Sequence, residues 1–369
     1  MKIICSKANL VKSINIALRA VPAKTTMPIL ECILIEVTAS QIKFTSNDME
    51  LGIETLVEGQ ILEKGTVAIN ARIFYEIIRR LPDSAVTLQT DDYYGVTITC
   101  GKSKFNISGQ PGDDFAYLPI IDTEETLTIS QFSLKEMIRQ TIFSIAINEN
   151  NQLMTGELFE IRGSFLRVVS LDGHRISIRK MALEQEYGDR KVVVPGKTLL
   201  EISKILSGEL TDQVTICFAP NHILFRFDDT LMVSRLIDGE YFRIDHMLSS
   251  DYETKLDISK KEFLECIDRA TLLVREGDKK PIIIHVTDDS MELKIDSAIG
   301  SMDETIDIVK EGKDLRIGFN PRFLIDALKV IDDDTISIYM MNPKAPCFIR
   351  DEAETYTYLI LPVNVNSAR

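Results

Sequence analysis

The stretch Asn70–Leu81, NARIFYEIIRRL, decides how this chain is read. Phe74, Ile77, Ile78 and Leu81 recur with the 3.6-residue period of an amphipathic helix. Arg72, Glu76 and Arg79 mark another face. The pattern returns 125 residues on: Leu199, Ile202 and Leu206 are apolar, while Lys197, Glu201 and Lys204 repeat basic, acidic, basic. It returns again with Leu324, Ala327 and Ile331 beside Arg322, Asp326 and Lys329. Matched faces at two equal offsets mean three copies of one domain.

The rest of the chain fits that count. Its 369 residues suit two or three domains. With 45% apolar and 27% charged residues the composition is that of a globular protein. Each third opens with a further helical stretch, Ser6–Val21, Ser133–Ile147 and Ser259–Val274, near a serine suited to capping it. Three strands follow in each: Cys32–Val37, Ile42–Ser46 and Gly52–Val57; Gly156–Arg162, Phe165–Ser170 and Arg175–Met181; Ile282–Thr287, Met291–Asp296 and Thr305–Val309. Beyond the repeated helix, turn-forming residues join a strand pair, as Asp91–Gly95 does between Val86–Thr90 and Val96–Cys100. The expected fold is α+β, with two helices and antiparallel sheets in each third, divided at 1–125, 126–252 and 253–369. Pro111–Phe115 and Ile237–Phe242 mark the joints, each with an aromatic residue to anchor the linker.

The net formal charge of −14 argues against a protein that simply coats nucleic acid. The charge is unevenly spread, however. The six helical windows 5–24, 70–81, 133–141, 195–206, 259–275 and 320–331 together carry +10, leaving −24 elsewhere. A single such helix is ordinarily a solvated face with i,i+4 pairs. Three in one register point to a shared surface that faces an anion.

Catalytic signatures are missing: there is no P-loop, G-x-G-x-x-G, G-x-S-x-G or H-E-x-x-H. The four histidines, His174, His222, His246 and His285, have no ligand spacing, and Asp332–Asp334 reads as a turn. No catalytic residue, metal or cofactor is expected. No apolar run is long enough for a membrane span, and Met1–Leu10 does not read as a secretory signal. Cys5, Cys32, Cys100, Cys217, Cys266 and Cys347 are dispersed and read as buried free thiols, which suits a cytoplasmic protein.

Several segments, in order and spacing, resemble the bacterial DNA polymerase III beta-subunit family of sliding clamps. They are Met27–Leu30 (MPIL), Ala71-Arg72 opening the helix that ends Leu81-Pro82, and Gly156 with Leu158–Glu160. Leu171–Arg175 (LDGHR), Asp238-Gly239, Gly318–Asn320 and the tail Leu359–Pro362 complete the set. The likeness spans the whole chain. It implies a head-to-tail homodimer closed as a ring around duplex DNA, each chain forming half. Such a ring holds DNA without reading sequence and serves as a non-catalytic processivity subunit. Its implied partners are a clamp loader, the replicative polymerase alpha subunit and other proteins with a clamp-binding motif. A peptide-binding scaffold that never encircles DNA is the alternative.

By position, the resemblance places Lys24, Arg72, Arg79, Arg80, Lys197, Lys204, Arg322 and Lys329 in the DNA-facing lumen, with Lys7, Lys12 and Lys135 as further candidates. It sets Lys102, Lys104, Phe105 and Ile107 against Leu272, Leu273, Asp303 and Glu304 at the dimer seam. It implies a peptide cleft made by Met154, Leu171, Gly173, His174, Arg175, Ile176, Phe242, His246, Met247, Asn320, Phe323, Leu359, Ile360, Leu361, Pro362, Val363, Asn364 and Val365. Phe242 and His246 stand where some members carry proline and arginine, and the tail has no arginine at 364. The segment Glu149–Leu153 offers DNA no positive charge.

Overall fold

A computed structural model of the chain describes residues 1–121, 125–147, 150–275, 280–351 and 353–363. In the first third, β1 (Lys2–Ser6) leads into α1 (Lys7–Ala17). Then come β2 (Cys32–Val37), β3 (Ile42–Asn47), β4 (Leu51–Val57), β5 (Gln60–Glu63) and β6 (Gly65–Asn70), followed by α2 (Ala71–Arg80), β7 (Ala85–Thr90), β8 (Gly95–Cys100) and β9 (Ser103–Ser108). The middle third runs β10 (Thr126–Ser130), α3 (Gln131–Thr141), β11 (Gly156–Leu171), β12 (Arg175–Pro195), α4 (Gly196–Ser203), β13 (Gln213–Phe218), β14 (His222–Phe227) and β15 (Thr230–Arg235). The last runs β16 (Thr254–Ser259), α5 (Lys260–Thr271), β17 (Ile282–Val286), β18 (Ser290–Asp296), β19 (Ser301–Asp307), β20 (Val309–Gly312) and β21 (Leu315–Phe319). It closes with α6 (Pro321–Leu328), β22 (Thr335–Met340), β23 (Cys347–Arg350) and β24 (Tyr356–Ile360). In each third a strand feeds the first helix, and three strands follow the second.

The chain forms two compact units. One is Met1–Leu134 with Leu200–Leu236, the other Lys135–Leu199 with Ile237–Arg369. In the first unit, a five-stranded sheet runs β5-β1-β7-β8-β9 and an eight-stranded sheet β10-β13-β14-β15-β4-β3-β2-β6. The larger sheet joins strands of the first third to strands of the middle third through the antiparallel pair β15–β4. Thr55 Oγ1 and Thr230 Oγ1 meet across that pair at 3.0 Å. Leu10 and Ile14 of α1, Phe74 and Ile78 of α2, and Ile3, Ile33, Phe44, Leu88 and Ile98 share one core. The apolar face read from the sequence is therefore the buried one. Phe115, the aromatic expected to anchor the linker, is buried against Cys32, Leu34 and Ala68.

The second unit has a seven-stranded sheet, β11-β12-β24-β23-β22-β16-β20, and a four-stranded sheet, β19-β18-β17-β21. Here the middle third joins the last through the antiparallel pair β12–β24. Phe263 and Ile267 of α5 pack with Leu324 and Leu328 of α6, both sheets contributing to the same core.

Three local expectations differ from the structure: the strands expected at Gly156–Arg162 and Phe165–Ser170 are one long strand, β11. The middle helix starts at Gln131 rather than Ser133, because the hydroxyl that accepts the early helical N–H belongs to Ser130 (from Ser133 N, 3.0 Å). The opening helix of the first third is α-helical only to Ala17 and tightens into a 3₁₀ turn over Leu18–Ala20. All six cysteines are buried and form no disulfide, and burial pushes the Cys5 thiol pKa up to about 11 and that of Cys266 up to about 12.

Candidate functional site

The basic helices come first. Asn70 caps α2 by accepting from Ile73 N at 3.2 Å, and Asn320 caps α6 by accepting from Arg322 N at 3.0 Å, with Pro321 in the first turn. These caps set the phase of each helix, apolar side down. Lys24, Arg72, Arg79, Arg80, Lys197, Lys204, Arg322 and Lys329 are all exposed. Arg72 reaches the carbonyl of Ala23 at 3.4 Å, beside Lys24. Arg322 and Lys329, with Lys280, Asp268 and Asp326, line a cavity of about 520 Å³ along α5 and α6.

The acidic member of the repeated register has a local job. Glu76 receives Arg79 at 2.7 Å and Arg80 at 2.8 Å, and Glu201 receives Lys204 at 2.7 Å. Exposed pairs of this kind are screened by solvent and contribute little to stability. Asp326 departs from the pattern by pairing with Arg175. Lys7, one of the further lumen candidates, is half-buried, and its ammonium donates to the carbonyl of Leu81 at the end of α2. Lys12 is exposed, while Lys135 is half-buried.

The expected cleft residues lie in the second unit. Between β11 and β12 the chain reverses over Asp172–His174. Asp172 Oδ1 accepts from His174 N (2.9 Å) and Arg175 N (3.1 Å), and Gly173 has φ +85°, which a side chain rarely allows. The turn places Leu171 and Ile176 in one apolar cluster with Leu158, Val169, Ile178, Tyr241, Ile244, Phe348 and Leu359. Met154 and Phe242 pack on that cluster.

Arg175 is buried, with Nε on Asp172 (2.9 Å), Nη1 on Asp326 (2.7 Å) and Nη2 on the carbonyl of Phe143 (2.7 Å). Its guanidinium lies 4.3 Å from the centre of the Phe323 ring. Burial opposes its charge, but Tyr358, Asp326 and Asp172 outweigh that and raise its pKa. His174 stacks on Phe323 at 6.2 Å, and its carbonyl accepts from Leu361 N at 2.9 Å. Val363 N donates to Gly318 O at 2.8 Å. His246 and Met247 stand exposed on the 3₁₀ turn Asp245–Met247. Ile360 belongs instead to the core beneath α5 and α6, while Pro362 is half-buried. Asn364, Val365 and Glu149 lie outside the described residues.

The sequence reading missed Phe143, Asp326 and Tyr358 as supports of this region. Asp172 had a signal, since Asp before Gly-His predicts an Asx turn. Phe143 had none.

At the free sheet edges, Phe105 of β9 is 41% exposed, and Ile107 packs on the core. Lys102 and Lys104 are exposed. Leu272, just past α5, is 78% exposed, while Leu273 leans on the core. Asp303 pairs with Lys294 at 3.1 Å, and Glu304 accepts from Arg269 Nε at 3.0 Å. Both carboxylates thus have partners within their own chain. Among the described residues no cluster of His, Cys, Asp and Glu could hold a metal, and no helix is long and apolar enough to cross a membrane.

Comparison with known proteins covers the chain almost end to end. Family models of the DNA polymerase III beta subunit match residues 1–119 (N-terminal domain), 128–242 (central domain) and 246–364 (C-terminal domain). The beta sliding clamp of Staphylococcus aureus is 35% identical over 364 residues, covering 96% of each chain. A crystal structure described as a DNA polymerase III beta subunit from Eubacterium rectale is 61% identical, covers 99% of this chain and 100% of its own, and superposes with a TM-score of 0.96. The DNA polymerase sliding clamp of Bacillus subtilis is 34% identical over 99% of each chain, with a TM-score of 0.95.

Proposed function

This chain belongs to the DNA polymerase III beta-subunit family and serves DNA replication as a sliding clamp; we propose that it does so as a head-to-tail pair closed into a ring around duplex DNA. The observation that carries this is the repetition of one sheet junction. Within the chain, the third strand after a repeated helix pairs twice with a strand that follows an opening helix: β15 with β4, the third after α1, and β24 with β12, the second after α3, whose long predecessor β11 spans both strands expected at Gly156–Arg162 and Phe165–Ser170. The register is the same both times. Leu231, second in β15, faces Glu54, fourth in β4; Thr357, second in β24, faces Ile178, fourth in β12. The strands left over by this rule are β9 and β19, each at the edge of its sheet.

An unpaired edge of N–H and C=O groups is a template for another strand. If β9 of one chain meets β19 of a second in the repeated register, Lys104 stands opposite Glu304 and Phe105 opposite Asp303. The contact is heterologous, so two copies close if the rotation permits. Leu272, exposed at 78%, supplies apolar area for such a seam.

The exposed basic residues of the helices would face the phosphate backbone. Cations on phosphates give affinity without sequence preference, and the acidic remainder of the surface discourages DNA from binding outside. Retention is then topological, and the individual contacts stay weak enough for sliding. The chain acts as a processivity factor in the bacterial cytoplasm and leaves the chemistry to the polymerase. The apolar cluster around Leu171, Ile176 and Leu359, rimmed by His174, Arg175, Phe323 and Met247, is the seat for a short apolar motif of the clamp loader, the polymerase alpha subunit and other partners.

The test is retention on two DNA topologies. The protein is loaded by a clamp loader onto nicked circular DNA, which is then linearised. We expect it to stay on the circle and to run off the linear form. Equal release from both, or no retention on the circle at moderate salt, would favour a peptide scaffold that does not encircle DNA.

A further inference from the structure

Glu160 of β11 is only 1% exposed. Its carboxylate receives Arg167 through Nε (2.6 Å) and Nη2 (2.5 Å), Arg162 Nη2 (2.7 Å) and Lys191 Nζ (3.0 Å). Burial alone would raise its pKa; Lys191, Arg167 and Arg162 overcome that and hold it low. One buried anion under three cations leaves positive charge to spare. That surplus is directed at one place. Arg167 Nη1 meets Asp245 Oδ1 at 2.8 Å, and Arg162 approaches the same carboxylate at 3.7 Å.

Asp245 opens the turn that carries His246 and Met247. Beyond the turn, Leu248 packs on the apolar cluster and Arg350 Nη2 donates to Ser249 O at 2.9 Å, but within Asp245–Met247 the Arg167 and Arg162 contacts are the side-chain ion pairs among the described residues. Its backbone bonds are Met247 N to Ile244 O (2.8 Å) and Leu248 N to Asp245 O (3.4 Å). The residues before it are well held: Tyr241 and Ile244 sit in the cluster with Leu171 and Ile176, and the Tyr241 hydroxyl donates to Val169 O at 3.4 Å. The Arg167–Asp245 pair therefore ties the first residue of the exposed turn to β11, between the packed Ile244 before it and the packed Leu248 after it.

We propose that Arg167 is a positioning residue for the peptide cleft: anchored on buried Glu160, it holds Asp245 and so pre-forms the edge made by His246 and Met247. This rests on the reading of the cleft as the partner site. A pre-formed edge spares a bound peptide the cost of ordering it. Arg167 suits the task because a planar guanidinium serves two carboxylates at once, where a lysine would have to choose. Its attachment to Glu160 is independent of Asp245, so the anchor survives when the turn is cut loose.

The experiment is an anisotropy titration with the fluorescein-labelled clamp-binding peptide of the replicative polymerase from the same organism. Asp245→Asn leaves Glu160 fully paired and alters a side chain that is 59% exposed, so the fold is retained, as an unchanged Tm will show. We expect it to weaken the peptide about three- to ten-fold, the scale of one side chain's ordering cost. Asp245→Glu should recover most of the affinity. Arg167→Met should weaken binding similarly, and Arg167→Met with Asp245→Asn should be no weaker than the worse single variant, since both cut one linkage. Wild-type affinity in Asp245→Asn, or losses that multiply in the double variant, would overturn the proposal while Phe323→Ala still abolishes binding. If Phe323→Ala also binds normally, the cleft itself is misplaced and the positioning role falls with it.

Discussion

Glu157 is fully buried on β11, and neither carboxylate oxygen has a hydrogen-bond partner among the described residues. The nearby Thr141 hydroxyl favours the charged form but is itself committed to Met137 O at 2.7 Å. Burial therefore dominates and pushes the carboxyl pKa from 4.5 up to about 8. A folded-state pKa above the unfolded one means that the native state holds its proton longer. Its contribution to stability is full below pH 4.5 and declines as pH rises through the window to about 8, by about 1.4 kcal/mol per unit. Glu157→Gln removes that titration. Melting curves from pH 5 to pH 8.5 should show the variant gaining on the wild type as pH rises. Parallel curves would mean that Glu157 is ionised or solvated in the native state.

At the scale of the element, the repeated helices are built by the same device with one exception. Asn70 and Asn320 occupy corresponding positions and both cap with the side-chain oxygen, whereas α4 opens after Pro195 at Gly196. A side-chain cap contributes about 1 kcal/mol. Asn70→Ala and Asn320→Ala should each lower stability by about that much, read as a shift in urea midpoint at constant slope. A change in either within error would place the helix start under the control of the buried Phe74 or Leu324 instead. The exchange of Asp326 from its own helix to Arg175 is the other departure from the repeat. It ties α6 to the β11–β12 turn and to Phe323, where Glu76 of α2 serves neighbours one turn away and Glu201 of α4 is shared between Lys204 and Arg19.

At the scale of the molecule, closure of the proposed ring depends on the seam between β9 and β19. The repeated register sets Lys104 across from Glu304, and directly opposed residues in an antiparallel pair have Cα atoms roughly 4.5–5.5 Å apart, within reach of a disulfide. The six native cysteines are buried and form no disulfide. A Lys104→Cys, Glu304→Cys chain should therefore oxidise to a covalent dimer on a non-reducing gel, while either single variant stays monomeric there. The covalent ring should resist loading until it is reduced. If only Lys102→Cys with Glu304→Cys cross-links, the register is displaced by two residues; if no pair does, β9 and β19 are not partners.

Much of this was legible in the chain itself. The period of Phe74, Ile78, Leu199, Ile202, Leu324 and Ala327 fixed which faces are buried, because a helix brings only near neighbours together and their spacing is written locally. The turn at Gly173 was legible for the same reason, as was the α+β content of each third. The triplication marked the basic residues that stay exposed, although Lys7 looked like its neighbours and only packing turned it to Leu81. What the tertiary structure alone decided is the long-range pairing. Nothing near Asp245 names Arg167, nothing near Phe143 or Asp326 names Arg175, and nothing in β4 or β12 names β15 or β24 as its neighbour. Every antiparallel edge offers the same alternating N–H and C=O groups, so which edges meet is settled by the volume and charge of whole packed faces.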